Sequence, residues 1–207
     1  MGEEIGSQEI VLPFWDSLSE GMLFFELQAL EDSVLFGFHY STKDAPVRRV
    51  CLGLVITHFN RPQEVEKTAL RFKKELLQGP YYEGKIQLII VDNSRNLPRS
   101  LADEKGIAVI PNRNLGGSGG FSRGLIHLHH AGDFTHGLFM DDDASSEIES
   151  IRRTFFYLTY THEPKLAIAG AMLRAVQPNM QHENGGRFDG LCYPCLLYTS
   201  PSPRDRT

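Results

Sequence analysis

The sequence predicts an α/β layered fold with a mostly parallel sheet, and three observations carry that reading. Apolar strand-like runs alternate with amphipathic helical stripes from residue 49 onward. One of those runs, VCLGLVIT, is continuously apolar, as in a strand covered on both faces, and IQLIIV reads as a second buried strand. Unusual polar residues gather directly after four successive runs, and such strand ends are where open α/β sheets bind ligands.

The elements follow in order. Val50–Thr57 reads as the first strand. Pro62 suits the first turn of a helix, and Val65, Ala69, Phe72 and Leu76 recur on one helical face. Gly79-Pro80 closes that helix. Ile86–Val91 is a second strand and Ile107–Ile110 a short third. Gly117 to about Ala131 reads as a helix with a glycine-rich start, and Gly137–Met140 as a fourth strand. Ile148, Ile151, Phe155 and Leu158 mark another amphipathic helix, and Leu166–Met172 a fifth strand. Residues 1–48 differ: Met22–Leu27 and Ser33–Tyr40 read as two β-strands, which cannot form a stable domain alone.

Composition narrows the function classes. The 207 residues are 41% hydrophobic and 23% charged, a globular balance. A net charge of −5 argues against non-specific nucleic-acid binding, which needs a basic face. The mean hydropathy is −0.25 and the apolar runs are too short to span a bilayer. The first ten residues are acidic and polar rather than a secretory signal, and three cysteines indicate no disulfide framework, so a reducing cytoplasm is expected. Residues 195–205, CLLYTSPSPRD, resemble the translation of a transposon adapter used in DNA library preparation. The expectation is that residues 195–207 are a non-native tail and that the native sequence stops near Pro194. The C-x-x-C formed by Cys192 and Cys195 reaches into that tail and is given no function.

The strand-end residues have direct chemical readings. Asp141, Asp142 and Asp143 repel one another, and a hard divalent cation, Mg²⁺ or Mn²⁺, offsets that repulsion. In an extended segment Asp141 and Asp143 share a face while Asp142 points away. A solvated acidic turn is the alternative, and the position after the fourth strand favours the metal. The GGSGG run opening a helix suits an anion, with a close-packed turn an equal alternative. It matches neither the dinucleotide fingerprint nor the Walker A loop. Arg61 is a candidate phosphate partner or a surface arginine, and Asp92 a nucleobase acceptor or a turn residue. His127, His129, His130 and His136 read as a solvated helix face rather than a metal cluster.

In this order, THFNRP, VDN, PNRNLGGSGGFSR and FMDDD resemble the nucleotide-binding half of family 2 glycosyltransferases with the GT-A fold. Together with AGAML and QP-x-x-QHENGG they are most similar to bacterial galactofuranosyltransferases and their rhamnosyltransferase relatives. The resemblance covers residues 49–190, and residues 11–48 resemble the end of a preceding β-sandwich domain. The implied domains are therefore 1–48, the end of a β domain, and 49–194, the donor half of a transferase. The resemblance implies that Asp141 and Asp143 hold Mn²⁺ or Mg²⁺ and, through it, the diphosphate of a UDP-sugar. It implies that Asp92 contacts uracil and that Phe59 and Arg61 form a nucleotide-contacting loop. Asn114, Gly116 and Gly117 would lie beneath the donor, and Asp142 is grouped with the donor-binding residues.

The same likeness implies an inverting hexosyltransferase that builds a cell-envelope glycan on a glycan or lipid-linked acceptor. It would work in the cytoplasm, peripherally at the inner membrane face. The catalytic base and a further metal-binding histidine are expected beyond Pro194, so neither Glu183 nor Asp189 is assigned as the base and the chain alone is expected to be inactive. A dTDP-rhamnose enzyme is the alternative donor reading, and a nucleotide-binding remnant without turnover the alternative class. A nucleotidyltransferase is disfavoured because its glycine-rich loop comes early, whereas here it follows the third strand.

Overall fold

A computed structural model describes residues 6–14, 17, 24–183, 186–188 and 191–194. Internal contacts divide the chain at Lys43/Asp44 into two units. In the second unit four strands form a parallel sheet: β1 (Leu52–His58), β2 (Ile86–Asp92), β3 (Ile107–Pro111) and β4 (His136–Asp141), in the order β3-β2-β1-β4. Between them run α1 (Pro62–Phe72), continued by a π-helical turn over Lys73–Leu77, then α2 (Arg99–Ala102) and α3 (Gly116–Ala131). Helix α4 (Ile148–Tyr160) follows β4. Two antiparallel pairs come last: β5 (Met172–Arg174) with β6 (Gln177–Glu183), and β7 (Gly186–Phe188) with β8 (Cys192–Pro194).

Strand alternation sorts the core into two layers. Leu52, Leu54, Ile56, Leu88 and Ile90 face one cluster, with Val65, Ala69, Phe72 and Leu76 of α1 and its extension and Ile148, Ile151, Phe155 and Leu158 of α4. Both sequence-predicted helical stripes are therefore buried in full. Each of these side chains other than Ala69 contributes about 1.5–3 kcal/mol by leaving water. Val55, Ile89 and Val91 face the other side, where Leu128 of α3 covers them.

Helix α3 lies close to β1 because its packing face is glycine. A Cβ placed on Gly120 would overlap Thr57, and one on Gly124 would overlap Val55. Gly132, with φ of 76°, supplies the left-handed residue that ends the helix.

Two sequence expectations are corrected. Residues 166–171 form no strand; only Met172–Arg174 does, paired with β6 rather than with the parallel sheet. An apolar run becomes a strand only where a ladder partner meets it, and β4 pairs with β1 alone. In the first unit, no described residue between 24 and 43 is in a strand, so Ser33–Tyr40 is not the strand its composition predicts. Phe24, Phe36 and Phe38 are exposed there, although Phe25 and Phe38 meet edge to face at 4.5 Å. Met22, Leu23 and residues 195–207 lie outside the described residues. Among the described residues no helix is long and apolar enough to cross a membrane.

Candidate functional site

The carboxyl ends of β1, β2 and β4, with the start of α3, enclose an open cleft of about 530 Å³. Its position follows from the parallel sheet. Every strand points the same way, so the loops leaving β1, β2, β3 and β4 emerge along one edge.

The loop after β1 supplies Phe59, Asn60 and Arg61 to the cleft wall. It turns sharply at Asn60, whose φ of 56° is a left-handed conformation that asparagine tolerates. The Asn60 N–H donates to Ser94 Oγ at 2.6 Å, which ties this loop to the one after β2. Phe59 is 49% exposed and lines the cleft.

The triplet after β4 is divided by its geometry. Asp142 is buried; its Oδ2 accepts the Phe59 N–H at 2.9 Å and its Oδ1 accepts Arg61 Nη1 at 2.6 Å. Arg61 Nη1 also lies 3.2 Å from Asp143 Oδ2. The hydrogen bond that Arg61 donates to Asp142, joined by the charges of Asp142 and Asp143, holds the Arg61 guanidinium above its ordinary pKa. Arg61, weighed from sequence as a phosphate partner or a surface residue, is a carboxylate partner at the cleft wall. Asp141 and Asp143 are exposed, and Asp141 lines the cleft.

Asp141 lines the cleft and Asp143 stands two residues on beside Arg61; a hard divalent ion such as Mg²⁺ characteristically takes one or two carboxylates and completes its shell with phosphate oxygens and water. Among the described residues no group of three His, Cys, Asp or Glu side chains is placed to hold an ion. On α3, His129 and His130 are exposed and His127 is half-buried, whereas His136 begins β4 and is not part of that helix.

The glycine run splits between two tasks. Gly116 and Gly117 line the cleft, and a Cβ on either would meet nothing within 4 Å. Gly116 has φ of 74°, and its N–H donates to Asn114 Oδ1 at 3.0 Å in a turn that places Asn114 on the cleft wall. The N-cap residue Leu115 supplies no side-chain acceptor, so after Gly116 the N–H groups of the first turn of α3 are left for water or an anion. Gly120 and Gly124 instead serve the close approach to β1. The close-packed alternative of the sequence reading is thus met at Gly120, whereas Gly116 and Gly117 stand open on the cleft wall.

Asp92 is at the end of β2 but does not line the cleft. Its Oδ1 accepts the N–H groups of Ser94 at 3.0 Å and Arg95 at 2.7 Å, and its Oδ2 that of Leu97 at 3.3 Å. This is the turn-residue geometry that the sequence reading held open. The next residue, Asn93, takes the place at the cleft wall and accepts Asn112 Nδ2 on its Oδ1 at 2.8 Å. Glu183 lies in β6, whereas Asp189 is outside the described residues.

Sequence reasoning assigned nothing to His58, although it is wholly buried. Its Nε2 donates to Asn96 Oδ1 at 2.8 Å and lies 3.9 Å from Asp92 Oδ1. Its Nδ1 is 3.6 Å from Asp142 Oδ2. Three buried side-chain polar atoms among the described residues lack a hydrogen-bond partner, and two of them, Thr57 Oγ1 and His58 Nδ1, are consecutive at the end of β1. The available signal was two polar residues continuing the buried register of an apolar strand.

Galactofuranosyltransferase GlfT2 of Mycobacterium tuberculosis is 32% identical over 193 residues, 87% of this chain and 29% of the relative. Its namesake from Mycolicibacterium smegmatis is 30% identical over 162 residues, 72% of this chain and 24% of the relative. The chain is related in sequence to glycosyltransferases. It spans less than a third of the length of the two relatives. No protein-family model matches it. The similarity to the Mycobacterium tuberculosis protein spans most of the chain and is not confined to the cleft.

Proposed function

We propose that this chain is the donor-binding part of a galactofuranosyltransferase, which takes a UDP-sugar with Mn²⁺ or Mg²⁺ and delivers the sugar to a cell-envelope glycan. The observation that carries the reading is the cleft at the sheet's carboxyl edge. It combines an exposed aromatic ring, the N–H groups of the first turn of α3 and the carboxylate of Asp141, in a chain similar to two proteins named for that activity.

Each residue has a task in this reading. Phe59 offers its ring to the nucleobase. The N–H groups of the first turn of α3 after Gly116 face the diphosphate, to which helix N-termini are suited. Asp141 and Asp143 hold the divalent ion, with Asp143 shared between the ion and Arg61. When bound, the ion offsets the diphosphate charge that grows as the sugar departs. Asp142 takes no part in holding the ion; it fixes Phe59 and Arg61 through the hydrogen bonds described above.

Calorimetric titration of the chain with UDP in Mn²⁺ buffer tests the proposal. Binding is expected for the native sequence and lost in Asp141→Ala/Asp143→Ala, whose melting temperature stays close to native because both side chains are exposed. UDP binding that persists in the double variant overturns the metal assignment.

A further inference from the structure

We propose that His58 is a positioning residue for the donor site, acting through Asp142 on the Phe59–Arg61 loop. The inference rests on the donor-site reading given above and adds a residue that does not touch the cleft. His58 continues the register of Leu54 and Ile56, where alternation calls for an apolar side chain, and it is fully buried there. A buried polar atom without a partner costs free energy, so an imidazole in a core position requires a reason beyond packing.

The geometry supplies one. The ring fills the space between two strand-end loops. Nε2 is held by Asn96 in the loop after β2, and Nδ1 faces Asp142 in the turn after β4. At 3.6 Å the second contact is too long for a hydrogen bond but close enough for an electrostatic interaction in a buried setting. Asp142 in turn holds the Phe59 N–H and the Arg61 guanidinium. A chain of contacts therefore runs from Asn96 through His58 and Asp142 to the cleft wall. The backbone reinforces it, since the Asn93 N–H donates to the His58 carbonyl at 3.0 Å and Asn93 lines the cleft.

Three variants separate positioning from packing. His58→Phe keeps the ring and removes both nitrogens. His58→Asn keeps a polar group near the Nδ1 position, and His58→Gln keeps one near Nε2. UDP affinity in Mn²⁺ buffer is expected to fall about tenfold in His58→Phe, equivalent to ~1.4 kcal/mol. His58→Asn should restore much of the loss and His58→Gln little. In an Asp142→Asn background, His58→Phe should cost no further affinity. Native affinity in His58→Phe, equal rescue by Gln and Asn, or full additivity with Asp142→Asn would each overturn the proposal.

Should His58→Phe fail to fold, the native chain still decides. The ¹⁵N resonances of the His58 ring are expected to move on UDP addition, and unmoved resonances would overturn the inference. A native chain that binds no UDP removes the donor-site reading itself. Normal binding that is indifferent to His58 removes only the positioning role.

Discussion

The body of the parallel sheet and its carboxyl edge are made from the same strands and obey opposite rules. In the body, Leu54, Val55, Ile56, Leu88, Ile89 and Ile90 are apolar and at most 1% exposed. Within three residues, at the ends of the same strands, Thr57, His58, Asp92 and Asn93 are buried, joined by Asp142 after β4. The edge carries two of the three unpartnered buried polar atoms among the described residues. The body is built for stability, and the edge gives up some of it to hold polar groups in fixed places. The two regions should therefore fail differently: body variants lose the fold, and edge variants lose the ligand.

The largest effect is expected in the body. Phe72→Ala removes one of the largest fully buried side chains and leaves a cavity between α1 and the sheet. It should destabilise the chain by about 3–5 kcal/mol, read as a lower denaturant midpoint with an unchanged slope. The molecules that remain folded should bind UDP with native affinity. Weakened binding per folded molecule would show that body and edge are not separable.

Helix α3 crosses from one region to the other and gives a finer test. Gly124→Ala forces a methyl group against Val55 in the body, and such overpacking costs about 1–3 kcal/mol. Gly117→Ala adds the same methyl at the cleft, where nothing lies within 4 Å. Its stability should stay within about 0.5 kcal/mol of native, with the change appearing in UDP affinity. Parallel thermal melts and titrations of the two variants check the contrast. Equal destabilisation by both would erase the distinction drawn between these glycines.

How legible each region was follows from the same difference. The body was readable because burial is periodic. Val65, Ala69, Phe72 and Leu76 recur at helical spacing, and all four are buried. The edge was readable as a location, since parallel strands bring their ends together, but not residue by residue. Asp92 and Asn93 are adjacent polar residues, and which of them lines the cleft depends on the hydrogen bonds of the following turn. His58 was overlooked although it continues the buried register of an apolar strand, because the residue types alone do not say how far that burial extends toward the loop. The run Leu166–Met172 misled because composition records apolarity and not the presence of a ladder partner.

The smallest effect comes from the opposite end of β4. His136 begins that strand, and Asp141 at the cleft ends it. Burial, reinforced by the charge of Arg48, holds the His136 imidazole below its ordinary pKa. The folded chain therefore takes up this proton at lower pH than the unfolded chain does. As pH falls through the ordinary histidine range, around 6.5, the unfolded state binds protons first and gains the advantage. His136 should thus make stability decline on acidification, and its contribution should level off once pH is below the folded pKa. His136→Gln should flatten that part of a stability-against-pH curve measured by denaturant titration. UDP affinity at fixed pH should be unchanged, because the titrating ring lies at the other end of β4 from the cleft. A variant that keeps the native slope would place the responsible proton on another group, and one that alters UDP affinity would show that the body reaches the edge along β4.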